Sequence, residues 1–368
     1  MSTIEQCFAL LRCGLWGGTA NPSDFPESTD WKAIYRFAKQ QTVEAILYDG
    51  LSTLPSHLYP ESSLLRQWYT YVVKIEQSHK LVNQRLTEVV AHLQTEGIQP
   101  VLLKGQGIAQ NYLTPNHRHC GDIDLYIGKK EHKRCCKVIG NWDIGPTDFS
   151  QNKKHHSFMF KGVNIELHRI AQHLENPLSN RRFQDWTERH LSAGNIRKWE
   201  IDGVELWLPP ANFDALYIFS HLYRHFFQGG IGLRQFCDWV RYLHRFRHSI
   251  NRQVLERDLT DFGLARVWRL FGPIAVEYLG LPEEEMPLYI PAYSKSAETI
   301  VGYILKDGNF GSFSRMSPRP KGYLKKKLYS LRHIQKRTWQ LFPLFPKEVI
   351  SNSTAHVIDR IVQLIKFR

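Results

Sequence analysis

The sequence predicts an α+β fold, a small mixed-sheet module at residues 98–208 embedded between predominantly helical segments at 1–97 and 209–368. Three observations predict it. Apolar residues recur at helical spacing through most of the first hundred positions, short β-rich runs bounded by turn residues follow from Gln99, and the helical period returns beyond Pro209-Pro210.

Taken in order, Asp30 is placed to cap a helix carrying Trp31, Ile34, Phe37 and Ala38, and Ser62 or Ser63 to open a long second one. The segments Gln99–Leu103, Asp122–Ile127, Ser157–Phe160 and Val163–Leu167 read as strands. Short helical stretches are expected from near Gln106, with Ile108–Leu113 helical, and from about Lys130. Lys161-Gly162 joins the last two strands in a hairpin, and Asp202-Gly203 joins a second pair, Ile196–Ile201 and Val204–Leu208. Beyond the prolines, Phe213, Leu216, Tyr217, Phe219 and Leu222 fit one helix, and Phe236, Trp239, Val240 and Leu243 another. A final apolar face over Ala355–Phe367 reads as core.

Composition narrows the function classes. With 368 residues, 42% of them hydrophobic, 23% charged and 12% aromatic, the chain is an ordinary folded protein of two or three units. No basic leader precedes an apolar run, and no run reaches membrane-spanning length, so a cytoplasmic protein without a membrane span is expected. Six cysteines, at 7, 13, 120, 135, 136 and 237, include no Cys-x-x-Cys pair and read as free thiols. The formal net charge of +13 favours a polyanionic ligand without choosing among nucleotides, nucleic acid and other phosphates. Nine basic residues and no acid lie between Arg315 and Arg337, either a solvated helix face or a nucleic-acid contact.

The chemistry centres on Gly121-Asp122-Ile123-Asp124-Leu125-Tyr126-Ile127. Strict alternation buries Ile123, Leu125 and Ile127 and sends Asp122 and Asp124 off the other face. Two like charges there repel unless a divalent cation lies between them or both point into water, and carboxylate oxygens suit Mg²⁺. Downstream, the same alternation in Gly162–His168 sends Asn164, Glu166 and His168 to a polar face. If the two strands are neighbours, three acids converge. His168 reads as a hydrogen-bonded structural histidine, with substrate contact the alternative. Upstream, Lys104-Gly105-Gln106-Gly107 is a strand-to-helix turn whose backbone N–H groups can meet a phosphate, while Lys104 either steadies that phosphate or keeps its charge in water.

The run LLKGQGIAQNYLTPNHRHCGDIDLYI, Leu102 to Ile127, resembles the signature of the uncharacterised bacterial nucleotidyltransferase family within the DNA-polymerase-β-like superfamily. A Lys-Gly turn precedes a helix ending in a tyrosine, and Arg118 precedes the Asp-x-Asp strand. Glu166-Leu167-His168 is similar to the family's third-acid strand, and His221 to Leu243 resembles its helical part. The resemblance implies that Asp122, Asp124 and Glu166 ligate Mg²⁺, with Glu166 aligning or deprotonating an acceptor hydroxyl. It further implies that Lys104, Gly105, Gln106, Gly107 and Arg118 hold the nucleotide. One departure stands out. The superfamily usually carries Gly-Gly or Gly-Ser in the turn, and Gln106 removes the hydroxyl that would meet a terminal phosphate.

His221 and His225, four apart on one helix face, read as a polar cluster against the module, with Arg234 and Asp238 as an ion pair on the next helix; nucleotide contact is the alternative. No glutamate between the histidines supports zinc-protease chemistry, and no Gly-x-Ser-x-Gly elbow supports a serine hydrolase. The expected activity is Mg²⁺-dependent transfer of a nucleoside monophosphate from an NTP to an acceptor, whether small molecule, glycan, protein or RNA. The alternative is a catalytically silent module that binds RNA or a phosphorylated partner.

Overall fold

The computed structural model describes residues 1–142, 150–151, 155–174, 176–192, 196–309, 322 and 339–350. The basic stretch Arg315–Arg337, apart from Gly322, and the expected last helix over Ala355–Phe367 lie outside the described residues.

Four helices lead the chain, α1 (Thr3–Trp16), α2 (Trp31–Gln41), α3 (Glu44–Leu51) and α4 (Ser62–Thr95). Ser2 and Glu5 close a reciprocal capping box on α1, and Asp30 accepts from the Ala33 amide to start α2, as its position predicts. The 34 residues of α4 extend about 50 Å. Its first half buries Leu64, Trp68, Val72 and Ile75 in the helical core, and its second half buries Val82, Leu86, Val89 and Leu93 against the sheet. One helix therefore joins both cores.

The module follows: β1 (Val101–Leu102), α5 (Gln106–Ala109), β2 (Ile123–Tyr126), α6 (Gly128–Asn141), β3 (Ser150–Gln151), β4 (His155–Phe160), β5 (Val163–His168), α7 (Pro177–Ser192), β6 (Arg197–Ile201) and β7 (Val204–Leu208). The seven strands form one mixed sheet in the order β3-β4-β5-β2-β1-β7-β6. The pairs β2/β5 and β1/β7 are parallel and the remaining pairs antiparallel. Both expected hairpins form on two-residue turns with positive φ at each position, 44° and 88° at Lys161-Gly162 and 50° and 75° at Asp202-Gly203.

Two local expectations are corrected. The short helix begins at Gln106, as expected, but ends at Ala109 and not at Leu113; just beyond it the Asn111 side chain takes the Ile108 carbonyl. The strand expected to reach Ile127 stops at Tyr126. Gly128, at φ 76°, redirects the backbone into α6 and leaves Ile127 half-buried at the junction.

Helices α8 (Ala211–Gln228), α9 (Leu233–Phe246), α10 (Arg252–Asp261), α11 (Ala265–Pro273) and α12 (Ser294–Asp307) complete the described fold. Phe213, Leu216, Phe219, Phe236, Trp239 and Trp268 pack in the same apolar core as Cys7, Leu10 and Leu47, so the first and last helical segments share one interior. The sheet core is a separate cluster built on one face of the sheet, with α4 and α6 over it. The other face carries the polar residues of β2 and β5, while Val101 of β1 and Trp207 of β7 pack there against the helical core. Among the described residues, no helix is long and apolar enough to cross a membrane.

Candidate active site

Parallel pairing of β2 with β5 sets Asp124 opposite Glu166, and the flanking Ile123/Ile165 and Leu125/Leu167 pairs bury on the core side. The strand period of two then sends the acids together to the opposite face. Oxygens of Asp122, Asp124 and Glu166 lie within 4.8 Å of one another. Asp122 stands exposed at the strand entrance, whereas Asp124 is 3% exposed.

A buried carboxylate needs partners, and Asp124 has two. Lys104 Nζ lies 3.0 Å and His168 Nε2 2.8 Å from its Oδ1. Burial opposes ionisation of Asp124, but the Lys104 charge and the His168 hydrogen bond together hold its pKa far below the ordinary carboxylate range. Asp122 keeps an accessible edge but sits within the cleft, and its partial desolvation there together with the neighbouring Asp124 charge pushes the pKa up. Glu166 is lowered despite burial, chiefly by His168, whose Nε2 is 3.2 Å from Oε2. His168 in turn is raised, the two carboxylates outweighing its own burial. Its position answers the question the sequence left open: His168 is a structural histidine bridging two acids.

Above the acids lies a cavity of about 360 Å³, lined among others by Lys104, Gly105, Asp122, Asp124, His155 and Glu166 from the module. Helix α8 adds His221, Arg224 and His225, and α9 adds Arg234 and Gln235. The rings of His221 and His225 meet edge to face at 4.3 Å. Burial and the surrounding cations lower both, His225 to about 3, so both line the wall as neutral imidazoles. Among the described residues, the Nε atoms of Arg224 and Arg234 are buried without a hydrogen-bond acceptor. Buried donors of this kind call for an anionic or polar ligand.

The residues of the glycine turn part company. Gly105 holds φ 58° and ψ −112°, a conformation only glycine adopts without strain, and lines the cavity. Gln106 is 1% exposed and turned into the protein, where its amide contacts His79 and Asn83 of α4. Gly107 is a packing glycine, since a Cβ there would come within 2.7 Å of Leu208. Neither of these last two lines the cavity, and the Gly107 N–H is taken by the Lys104 carbonyl. Arg118 lines the cavity but is clamped by Asp238, at 2.8 Å from both Nε and Nη2.

That clamp corrects the expected Arg234–Asp238 pair. Arg234 instead donates to the His119 carbonyl at 2.8 Å, because Arg118 and the Tyr112 hydroxyl already occupy the Asp238 oxygens. Arg224, Gln235 and His155 were not anticipated as cavity residues. His221/His225 spacing could have implicated Arg224, which shares their helix. For His155 the only available signal was its place at the start of a strand.

A mixed sheet among helices, with carboxylates from adjacent strands beneath a cation-walled cleft, is the architecture of a protein that handles phosphate-bearing substrates. The chain belongs to the uncharacterised nucleotidyltransferase family, whose model matches residues 27–280. No curated protein and no solved structure matches it. The match covers the acid strands, the glycine turn and both cavity helices.

Proposed function

We propose that this chain is a Mg²⁺-dependent nucleotidyltransferase that moves a nucleoside monophosphate from an NTP to an acceptor hydroxyl or phosphate. The observation that carries the reading is the in-register pairing of Asp124 with Glu166, which gathers three carboxylates at the floor of a cleft walled by arginines. Their donor set fits the ion. It is all oxygen, one member is exposed towards the cavity, and the Lys104 ammonium already rests on Asp124 where positive charge is wanted. Bound there by Asp122, Asp124 and Glu166, Mg²⁺ would neutralise charge on the transferred phosphoryl group and acidify the acceptor.

The chain's own groups do the rest. Lys104, Arg224 and Arg234 hold the phosphates, and Gly105 lets the turn backbone approach them without a side chain in the way. Arg118, neutralised by Asp238, shapes the wall more than it binds. Glu166 orients the acceptor hydroxyl and takes its proton as the acceptor oxygen bonds the α-phosphorus and pyrophosphate departs. His168 keeps Glu166 and Asp124 ionised and aimed.

The test is calorimetric titration with each of the four NTPs, with and without Mg²⁺, on the wild type and on Asp122→Asn/Asp124→Asn. Metal-dependent binding that the double variant loses supports the site; absence of NTP binding in a folded wild type overturns it and favours a silent module. Salt-sensitive RNA binding that survives loss of Asp122 would point to that same alternative.

A further inference from the structure

On the opposite face of the sheet, independently of the acid site, lies a second group of ligand side chains. His132 and Cys136 stand four apart on α6 and so share one helix face. His156 follows His155 on β4, and the strand period that turns His155 to the cavity turns His156 away, towards α6. One ligand atom from each of the three lies within 4.8 Å of the others.

We propose that His132, Cys136 and His156 form a binding site for a zinc-like divalent ion, tying α6 to β4 behind the candidate active site. The donor set is one sulfur and two imidazoles, which selects a borderline-soft ion over Mg²⁺ or Ca²⁺. Geometry is close to what such an ion imposes. Tetrahedral bonds of about 2.3 Å to sulfur and 2.0–2.1 Å to nitrogen set the sulfur and nitrogen about 3.6 Å apart; Cys136 Sγ is 3.8 Å from His132 Nδ1. Two nitrogens would stand about 3.3 Å apart, so the upper limit of 4.8 Å leaves at most about 1.5 Å for side-chain rotation to close.

Two further observations point to a ligand. His132 Nε2 lies 3.0 Å from the Leu167 carbonyl, a contact in which the nitrogen must donate. That fixes the tautomer and leaves Nδ1 as the ring nitrogen free to ligate, backed by a carbonyl as histidine ligands are; Cys136 Sγ lies almost equidistant from the two ring nitrogens, 3.8 Å from Nδ1 and 3.9 Å from Nε2, so a side-chain rotation brings it into line. His156 Nδ1 is buried and, among the described residues, has no hydrogen-bond partner. Cys136 and His156 are half-buried, which leaves access for an ion and room for a water to complete a fourth position. Binding displaces the Cys136 thiol proton, and the metal–sulfur bond replaces the S–H bond.

The experiment is titration of the metal-stripped full chain with Zn²⁺ alone, and separately with Co²⁺ as a spectroscopic probe. We expect one Zn²⁺ per chain at this site, proton release on binding, and a thiolate-to-cobalt charge-transfer band. Cys136→Ser should weaken this Zn²⁺ affinity by more than about 100-fold and abolish the band, whereas Asp122→Asn/Asp124→Asn should leave both intact. That last variant separates this site from the acid trio, so failure of one does not touch the other. Absence of the cobalt band in the wild type, or Zn²⁺ binding unchanged in a folded Cys136→Ser, overturns the proposal.

Discussion

At Glu44 the cost of burying a charge is visible in a single side chain. The residue is 2% exposed, and among the described residues its Oε2 has no hydrogen-bond partner. Burial therefore raises its pKa to about 7, against only weak opposition from Lys39 and Arg234. Between the unfolded value near 4.5 and the folded value near 7 the native state holds a proton that the unfolded chain has released. Stability from this group is present at low pH and is lost as pH rises through that window, up to about 3 kcal/mol. Glu44→Gln removes the ionisation, so its melting temperature should gain several degrees on the wild type between pH 5 and pH 8. A gap that stays constant across that range would show that Glu44 does not titrate there. Lys104 poses the complementary question of function. A charged hydrogen bond to phosphate is worth about 1.5–3 kcal/mol, so Lys104→Met should raise KM for the NTP about 10–100-fold, and an unchanged KM would remove Lys104 from the phosphate site.

Among the elements, the strand-to-helix turn after β1 has the strictest demand. Leu103 N still pairs with the Asp124 carbonyl, and one residue later the Lys104 side chain leans over Asp124. The chain must then reverse at once into α5, which Gly105 permits through its positive φ. Gly105→Ala has space for a methyl, its nearest neighbour being the Asp122 carbonyl oxygen at 3.5 Å, but not the backbone conformation. It should lose about 1–3 kcal/mol in denaturant unfolding; an unchanged midpoint would mean that the turn relaxes without strain. The departure at Gln106 also resolves at this scale. The superfamily pattern that the turn resembles has glycine or serine at this position, whereas here the Gln106 side chain is directed back into α4 against His79, whose imidazole burial holds at about 4 and hence neutral. Under the proposed function the turn then offers a phosphate no side chain at position 106, and Arg224 of α8 and Arg234 of α9 are the cavity groups left to hold it.

Across the whole molecule, one contact between the module and the helical shell is both buried and ionic. Asp238 on α9 receives Arg118 through two nitrogens and the Tyr112 hydroxyl at 2.7 Å. Arg118 and Asp238 are 5% exposed each, so removing one strands the other. Asp238→Ala should cost about 3–5 kcal/mol, and Arg118→Met/Asp238→Leu should recover much of it, because the isolated buried charge is the main penalty. Denaturant unfolding of the single and double variants tests this; equal losses in both would show that the pair is worth more than its desolvation. Since Arg118 and Asp238 both line the cavity, the double variant also reports whether the clamp shapes it.

The alternation in Asp122–Tyr126 and Val163–His168 determined by itself which side chains leave the core, because a strand has a period of two whatever its neighbours. The turn pairs at Lys161-Gly162 and Asp202-Gly203, and the family signature from Leu102 to Ile127, were readable for the same reason: each is a local matter of backbone preference and spacing. Whether β2 and β5 lie side by side was not. Forty-two positions separate Asp124 from Glu166, and only the sheet order decided that they meet in register. The pairing of Asp238 with Arg118, over the Arg234 that shares its helix, was likewise decided in three dimensions. A buried carboxylate takes the donors that folding brings to it, and helix spacing alone counts only the neighbours along one chain segment.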